Sequence, residues 1–344
     1  MGKLKKVTLD DVAAAVGLSR FLVCRALTGK PGVNEDTRQR IREAALRLGY
    51  KNKKIVKPND SGLMSVVLLI DEAEVNRIFW AKIIHGIESA ARNSGCDLLL
   101  RAISRDEVER GEIPAMIPEG RVNGVLITGN FPATYVARFE KINCPVVLVD
   151  NYLPATTHDA VLIADWEGSY LITNYLIQLG HTKLGYAGQI SGHWSWAQRY
   201  RGFRDALDAH GYPYCHDYAI GQETGANVWD LSFMEREVDR LVENPTAWVC
   251  NNDLTAQYLI KALTKAGLKV PQDISIVGFD DLLPQGVPEV HALTTLKVFG
   301  LEMGETAFKQ LLWRLDNRMA QCRRILIGVQ FIEGTTTVAP GCNE

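Results

Sequence analysis

Residues 8 to 50 read TLDDVAAAVGLSRFLVCRALTGKPGVNEDTRQRIREAALRLGY, and this stretch decides the fold of the amino-terminal end. Thr8 stands before the first helical run with Asp11 three residues on. Ser19 stands before a second, and Asn34 before a third whose first turn opens with Glu35 and Asp36, the residue types that cap and charge helix starts. Apolar residues fall at helical spacing: Val12, Ala13 and Val16, then Val23 and Leu27, then Ile41, Ala44, Ala45 and Leu48. Three short helices follow, with Gly17 in the tight turn of a helix-turn-helix unit. The second helix leaves Arg20, Phe21, Leu22 and Arg25 on its non-core face, and arginines there suit an element lying in a DNA major groove, where they read guanine edges. Thr8, Ser19 and Asn34 join these four as candidate DNA-binding residues.

A small helical bundle with solvated charges is the plainer reading of that stretch. Charge distribution opposes it. Residues 1 to 58 hold 14 Lys and Arg against 5 Asp and Glu, a net of +9, while the rest holds 24 against 35, a net of −11. A basic head on an acidic body is the footprint of a phosphate-binding module fused to something else.

At 344 residues the chain has room for two or three cores. Its 47% hydrophobic and 23% charged content is that of an ordinary globular protein. No apolar run approaches the roughly 18 residues that span a bilayer, and MGKLKKVTLDD lacks the apolar core of a secretory signal. Seven cysteines show no C-x-x-C pair and no zinc-like spacing. These features point to a reducing cytoplasm and to no metal or cofactor.

After Tyr50 the segment KNKKIVKPNDSGLMS is polar, basic and broken by Pro58 and Gly62, which reads as a linker over 51–65. Lys51, Lys53, Lys54 and Lys57 are candidate phosphate contacts there; a mobile charged tether is the alternative. From Val66 short apolar runs alternate with helical stretches. Strands are expected at 65–70, 97–101, 124–128, 145–150, 158–165, 184–188, 247–251 and 274–280. Helices are expected near 81–93, 135–141, 168–179, 200–210, 233–243 and 256–266. That alternation predicts parallel sheets in doubly wound α/β lobes, and nine or ten strands suit two sheets better than one.

The segment VTLDDVAAAVGLSRFLVCRAL with GKPGVNEDTRQRIREAALRLGY resembles the head of the lac repressor family of bacterial transcription regulators. Four phrases resemble that family's effector-binding body: Gln178–Thr182 (QLGHT), Arg199–Phe203 (RYRGF), Val270–Asp281 (VPQDISIVGFDD) and Leu293–Leu296 (LTTL). The resemblance runs through nearly the whole chain. It implies a helix-turn-helix head over 1–50 and a periplasmic-binding-protein-like body over 66–344. The body would have two lobes, about 66–160 with 292–322 and about 161–291 with 323–340, and a ligand cleft between them. It also implies a homodimer on double-stranded operator DNA. Tetramers of the lac type carry a further heptad-rich tail, whereas this sequence ends at Glu344 soon after GTTTVAP, which favours the dimer. Leu22 and Cys24 stand where the family commonly has Thr and Ser facing the DNA backbone. The Ala-Arg-Ser-Leu type of run that often forms a hinge helix in the linker is absent.

In open α/β sheets ligands meet the carboxyl ends of strands. Asp71, Asp150, Asn151, Asn252 and Asp280 all follow apolar runs in that way, and by family position Arg199, Asn252 and Asp280 match common effector contacts. For Arg199 or Asp280 alone a structural salt bridge is nearly as good a reading. Trp80, Trp194 and Trp229, with Phe79 and Ser195 close by, complete the candidate effector-binding set, and Trp80 matches an aromatic that reaches into the family's cleft. For any single Trp a core role is the default. Together they suit flat, partly apolar faces. A carbohydrate fits the polar groups first, and a purine or nucleoside second. A sugar-binding protein or enzyme with an incidental basic head is the remaining alternative. The chain has no phosphate-binding P-loop, no H-E-x-x-H and no G-x-S-x-G to support an enzyme.

Overall fold

The structure is a computed structural model that describes residues 7–27, 33–48, 50, 64–75, 77–222, 226–282 and 292–341. The chain divides into two compact units, Met1–Gly62 and Leu63–Glu344. Lys51, Lys53, Lys54 and Lys57 lie outside the described residues.

The head is three helices, α1 (Leu9–Val16), α2 (Arg20–Leu27) and α3 (Glu35–Arg47). Each start is built from the residue the sequence marks. Thr8 Oγ1 accepts from the Asp11 N–H at 3.3 Å while the Asp11 carboxylate accepts from the Thr8 N–H at 2.7 Å, a reciprocal capping box. The Leu22 N–H donates to Ser19 Oγ at 3.2 Å and the Thr37 N–H to Asn34 Oδ1 at 2.8 Å. Gly17, at φ 67°, closes α1 in the left-handed conformation that glycine adopts without cost. Val12, Ala13, Val23, Ala26, Ile41 and Ala45 close the core. Arg38 passes beneath it and donates to the Ala26 carbonyl at 3.0 Å, tying α3 to α2.

The body begins with β1 (Met64–Asp71), α4 (Ile78–Asn93), β2 (Cys96–Ile103), α5 (Arg105–Arg110), β3 (Gly124–Thr128), α6 (Ala133–Val136), β4 (Val146–Val149) and β5 (Asp159–Ile163). The chain then passes into the second lobe through α7 (Asp165–Gln178), β6 (Leu184–Ala187), α8 (Trp194–Ala209), β7 (Ala219–Ile220), α9 (Leu231–Asp239), β8 (Ala247–Cys250), α10 (Asp253–Lys265) and β9 (Ser275–Val277). It returns by β10 (Thr295–Val298) and α11 (Gly300–Asp316), and ends with β11 (Arg324–Ile327) and β12 (Val329–Ile332). Among the described residues the first sheet has six strands in the order β11-β5-β4-β3-β1-β2, and the second has four in the order β7-β6-β8-β9. Both are parallel throughout. Burial explains this arrangement, because β1, β3, β4 and β5 are apolar on both faces and helices cover each face. The antiparallel pair β10–β12 lies where the chain passes between the lobes.

Three differences from the sequence expectation have local causes. β5 pairs with β4, and β11 pairs with β5, so the first sheet keeps the chain to Ile163 and again to Ile327, a few residues past the expected crossings at 160 and 323. α8 starts at Trp194 rather than near 200, and α4 takes in Trp80, so both tryptophans are helical. α11 is a long helix absent from the expected set. Gly304 lets it lie directly on α4: a Cβ there would strike the Ile83 carbonyl, and one on the facing Gly86 would strike the Leu301 carbonyl. Among the described residues no helix is long and apolar enough to cross a membrane.

Candidate functional site

In the head, α2 presents the candidate reading face. Phe21 is 68% exposed, Arg20 is also exposed, and Leu22 and Arg25 are half-buried. The Arg25 guanidinium lies 5.4 Å from the Phe21 ring centroid, and Arg20 Nη1 is 3.4 Å from Asp10 on α1. Thr8, Ser19 and Asn34 have a different first duty. Their side-chain oxygens hold helix N–H groups, and the Thr8 hydroxyl also donates to Asp11 at 2.8 Å. They shape the unit by capping its helices.

In the body, a cavity of about 420 Å³ opens between the two lobes. It lies at the carboxyl ends of the strands, where open α/β sheets place ligands. Phe79, Trp80, Asp150, Ser195, Arg199, Trp229, Asn252 and Asp280 line it. Asp71, Asn151 and Trp194 do not. Asp71 caps the turn after β1, accepting from the Ala73 N–H at 3.0 Å. Asn151 is buried and donates to the Gly129 carbonyl at 2.9 Å. Trp194 packs edge-on against Tyr152 with centroids 5.0 Å apart. Each strand end supplied a polar residue, as the sequence says, but the backbone beside it claimed two of them.

Arg199 is the centre of the polar floor. It is fully buried on α8, its Nε donates to Asp165 at 2.7 Å, its Nη1 donates to the Asn251 carbonyl at 2.7 Å, and its Nη2 lies 2.9 Å from Asp280 Oδ1. The guanidinium sits 3.7 Å from the Phe279 ring centroid. Burial alone would lower its pKa, but Asp280 and Asp165 outweigh this and raise it, so Arg199 is a permanent cation. The carboxylates around it are less comfortable. Burial, reinforced by Asp165, lifts Asp150 well above the usual carboxylate range. Burial lifts Asp280 to about 6 even with Arg199 opposing. Asp253, whose carboxylate accepts from the Thr295 hydroxyl at 2.5 Å and the Leu282 N–H at 2.8 Å, is pushed by burial and Asp280 to about 8. Asp150 and Asp280 also hold positive φ angles of 51° and 110°. Such backbone costs of order 1–3 kcal/mol in a side-chain-bearing residue and gathers at functional sites.

Further lining residues lie outside the candidate effector set: Glu74, Arg77, His193, Trp196 and Asp253. Glu74 accepts from Trp80 Nε1 at 3.1 Å, pairs with Arg77 at 3.1 Å, and faces His193 of the other lobe at 3.5 Å. Burial works against its charge, but the His193 and Trp80 hydrogen bonds win and hold its pKa down. Arg77 reaches over the Trp229 ring, and Trp229 Nε1 donates to Thr255 at 3.1 Å. Trp196 stands edge-on to Trp229 at 6.1 Å. Asn252 spends its Oδ1 on the Thr255 N–H as the cap of α10, which leaves its amide NH₂ for the cavity.

The comparisons with known proteins agree with this architecture. Residues 8–53 match the pattern of bacterial regulatory proteins of the lacI family, and residues 173–337 match the periplasmic binding protein-like domain. The probable transcriptional repressor ExuR of Bacillus subtilis is 28% identical over 80% of this chain and 82% of its own length. The repressor PurR of Aliivibrio salmonicida is 28% identical over 90% of this chain and 93% of its own length. Among solved structures, a lac repressor dimer bound to operator and the anti-inducer ONPF superposes with a TM-score of 0.69 at 23% identity, over 97% of this chain and all of that one. A complex of the regulator CelR with cellobiose gives 0.68 at 23% identity over 96% of this chain and all of that one. The chain therefore joins a helix-turn-helix head of the lacI family of bacterial regulatory proteins to a periplasmic-binding-protein-like body.

Proposed function

We propose that this regulator is a dimeric repressor whose operator affinity is set by a carbohydrate held in the cleft of the body. The observation that carries the ligand class is the lining of the cavity: Asp150, Ser195, Arg199, Asn252 and Asp280 offer donors and acceptors, with the rings of Phe79, Trp196 and Trp229 beside them. Many hydroxyls on a ring with one apolar face answer that combination. Two heads on a two-fold axis would sit on two half-sites of a near-palindromic operator. Arg20, Phe21 and Arg25 would meet base edges, and Lys51, Lys53, Lys54 and Lys57 would meet phosphates. Such a protein works where the DNA is, in the cytoplasm.

A ligand that binds one lobe arrangement better than another shifts the population of that arrangement, and by linkage changes operator affinity by the same factor. An enzyme reading finds little support. His193 faces Glu74 at the cleft mouth, which engages it in holding the lobes rather than in activating a nucleophile. A purine is the second reading, favoured by the aromatic density and by the likeness to PurR.

The test is a thermal-shift screen of neutral and charged sugars and of nucleosides, followed by an electrophoretic shift on the DNA upstream of the gene with and without each hit. A ligand of the native state raises apparent stability. Expected is a sugar that both stabilises the protein and changes the shift. A nucleoside doing so in place of sugars would select the second reading, and failure to bind that DNA at all would remove the regulator reading.

A further inference from the structure

Carboxyl groups outnumber cationic side chains in the cleft. Glu74, Asp150, Asp253 and Asp280 line the cavity, and Asp165 stands behind Arg199, against the two cationic side chains Arg77 and Arg199. Glu74 is matched by Arg77, by Trp80 Nε1 and by His193. Around Arg199 stand Asp150, Asp165 and Asp280, and its N–H groups donate to Asp165 and the Asn251 carbonyl. Asp150 is 6% exposed, lines the cavity, and its Oδ1 has no hydrogen-bond partner among the described residues. Asp280 Oδ1 lies near Arg199 without the alignment of a hydrogen bond.

A buried carboxylate oxygen without a donor is costly, and a native site that keeps one is a site whose donor arrives later. We infer that the effector supplies it as a positive charge: a hydroxylated ring bearing a protonated amine, with the ammonium placed on Asp150. This rests on the carbohydrate reading, and within it names an amino sugar. The aromatic walls are consistent with a cation. The faces of Phe79, Trp80 and Trp229 carry negative quadrupole density, and one of them, Trp229, already receives the Arg77 guanidinium. The raised carboxylates agree in sign. Burial holds Asp150 and Asp280 towards the neutral form, and an ammonium beside them restores the charged form. An acidic or phosphorylated sugar would push these carboxyls further towards the neutral form. A neutral sugar can donate a hydroxyl to Asp150 but supplies no counter-charge.

The experiment is calorimetric titration of the full-length protein with glucosamine, galactosamine and mannosamine. Each is set beside its parent hexose and the corresponding uronate. At least one amine is expected to bind more tightly than both its parent and its uronate, by roughly tenfold or more. In Asp150→Asn that preference should vanish. Asn tolerates positive φ, so this substitution keeps the turn. A parent or uronate binding as tightly as the amine overturns the inference and leaves the carbohydrate reading standing. No binding by any of the amines at millimolar concentration also overturns it. Nucleosides binding while no sugar does would remove both readings together.

Discussion

The guanidinium of Arg77 lies 4.6 Å from the centroid of the Trp229 ring. Arg77 precedes α4 in the first lobe and Trp229 precedes α9 in the second, so this contact bridges the mouth of the cleft. Glu74 and His193 bridge it a second time. A regulator that signals by lobe movement needs cross-lobe contacts weak enough to exchange, and a partly exposed cation–ring contact is of that size.

A double-mutant cycle of Arg77→Ala and Trp229→Ala, read by denaturant unfolding of the ligand-free protein, should give a coupling of about 0.5–1 kcal/mol. Additive effects would mean that the two side chains do not hold the lobes together.

Arg199→Ala should be the most damaging single change in the cleft. It strands Asp165 and Asp280 in the interior, and removing one member of a buried ion pair costs about 3–5 kcal/mol. Arg199→Lys should rescue little, since one ammonium on a flexible stem does not replace a planar fork that spans Asp165, the Asn251 carbonyl and Asp280. Melting temperatures of the two variants against the parent check this; a Lys variant as stable as the parent would make the fork geometry irrelevant.

Asp253 gives the body a pH dependence of definite sign. Its folded-state pKa of about 8 is above that of an unfolded Asp, so the folded form holds the proton more tightly. The stability it contributes is fully present below the unfolded value and is lost as pH rises towards 8. Asp253→Asn should therefore melt close to the parent at pH 5 and above it at pH 8.5. Equal melting at both would show that Asp253 is ionised throughout.

Much of this architecture is legible in the residues. Thr8, Ser19 and Asn34 announce the three helices of the head because capping is local chemistry, settled within four residues. The apolar runs of β1, β3 and β4 announce a parallel sheet because strands buried on both faces leave no polar alternation to read. The strand-end rule found Asp150, Asn252 and Asp280, but it also raised Asp71 and Asn151, which the adjoining backbone took. Glu74, and the part His193 plays beside it, were hidden for the opposite reason. Their meaning comes from a contact between lobes, and neither stands in a local pattern that marks it. Asp253 looked like any acidic residue in the first turn of a helix, and only its burial gives it a role.

On the head, Arg20→Ala and Arg25→Ala should each cost roughly 1–3 kcal/mol on operator and less on unrelated DNA, the mark of base readers. Phe21→Ala should weaken operator binding too, since that exposed ring also packs on Arg25. Binding to operator and to scrambled duplex at one salt concentration separates the cases. Uniform weakening would make the arginines phosphate contacts.

The coupling of cleft to head is tested most directly by titrating operator at increasing effector concentration, with the parent and with Asp280→Asn. Without effector the two proteins should bind operator alike, because Asp280 belongs to the body and not to the head. With effector the variant should need roughly tenfold more ligand to reach the same change, the loss of about 1.5 kcal/mol that goes with a charge-assisted hydrogen bond. A folded Asp280→Asn protein that answers effector at the parent's concentrations would contradict the placement of the controlling ligand in this cleft.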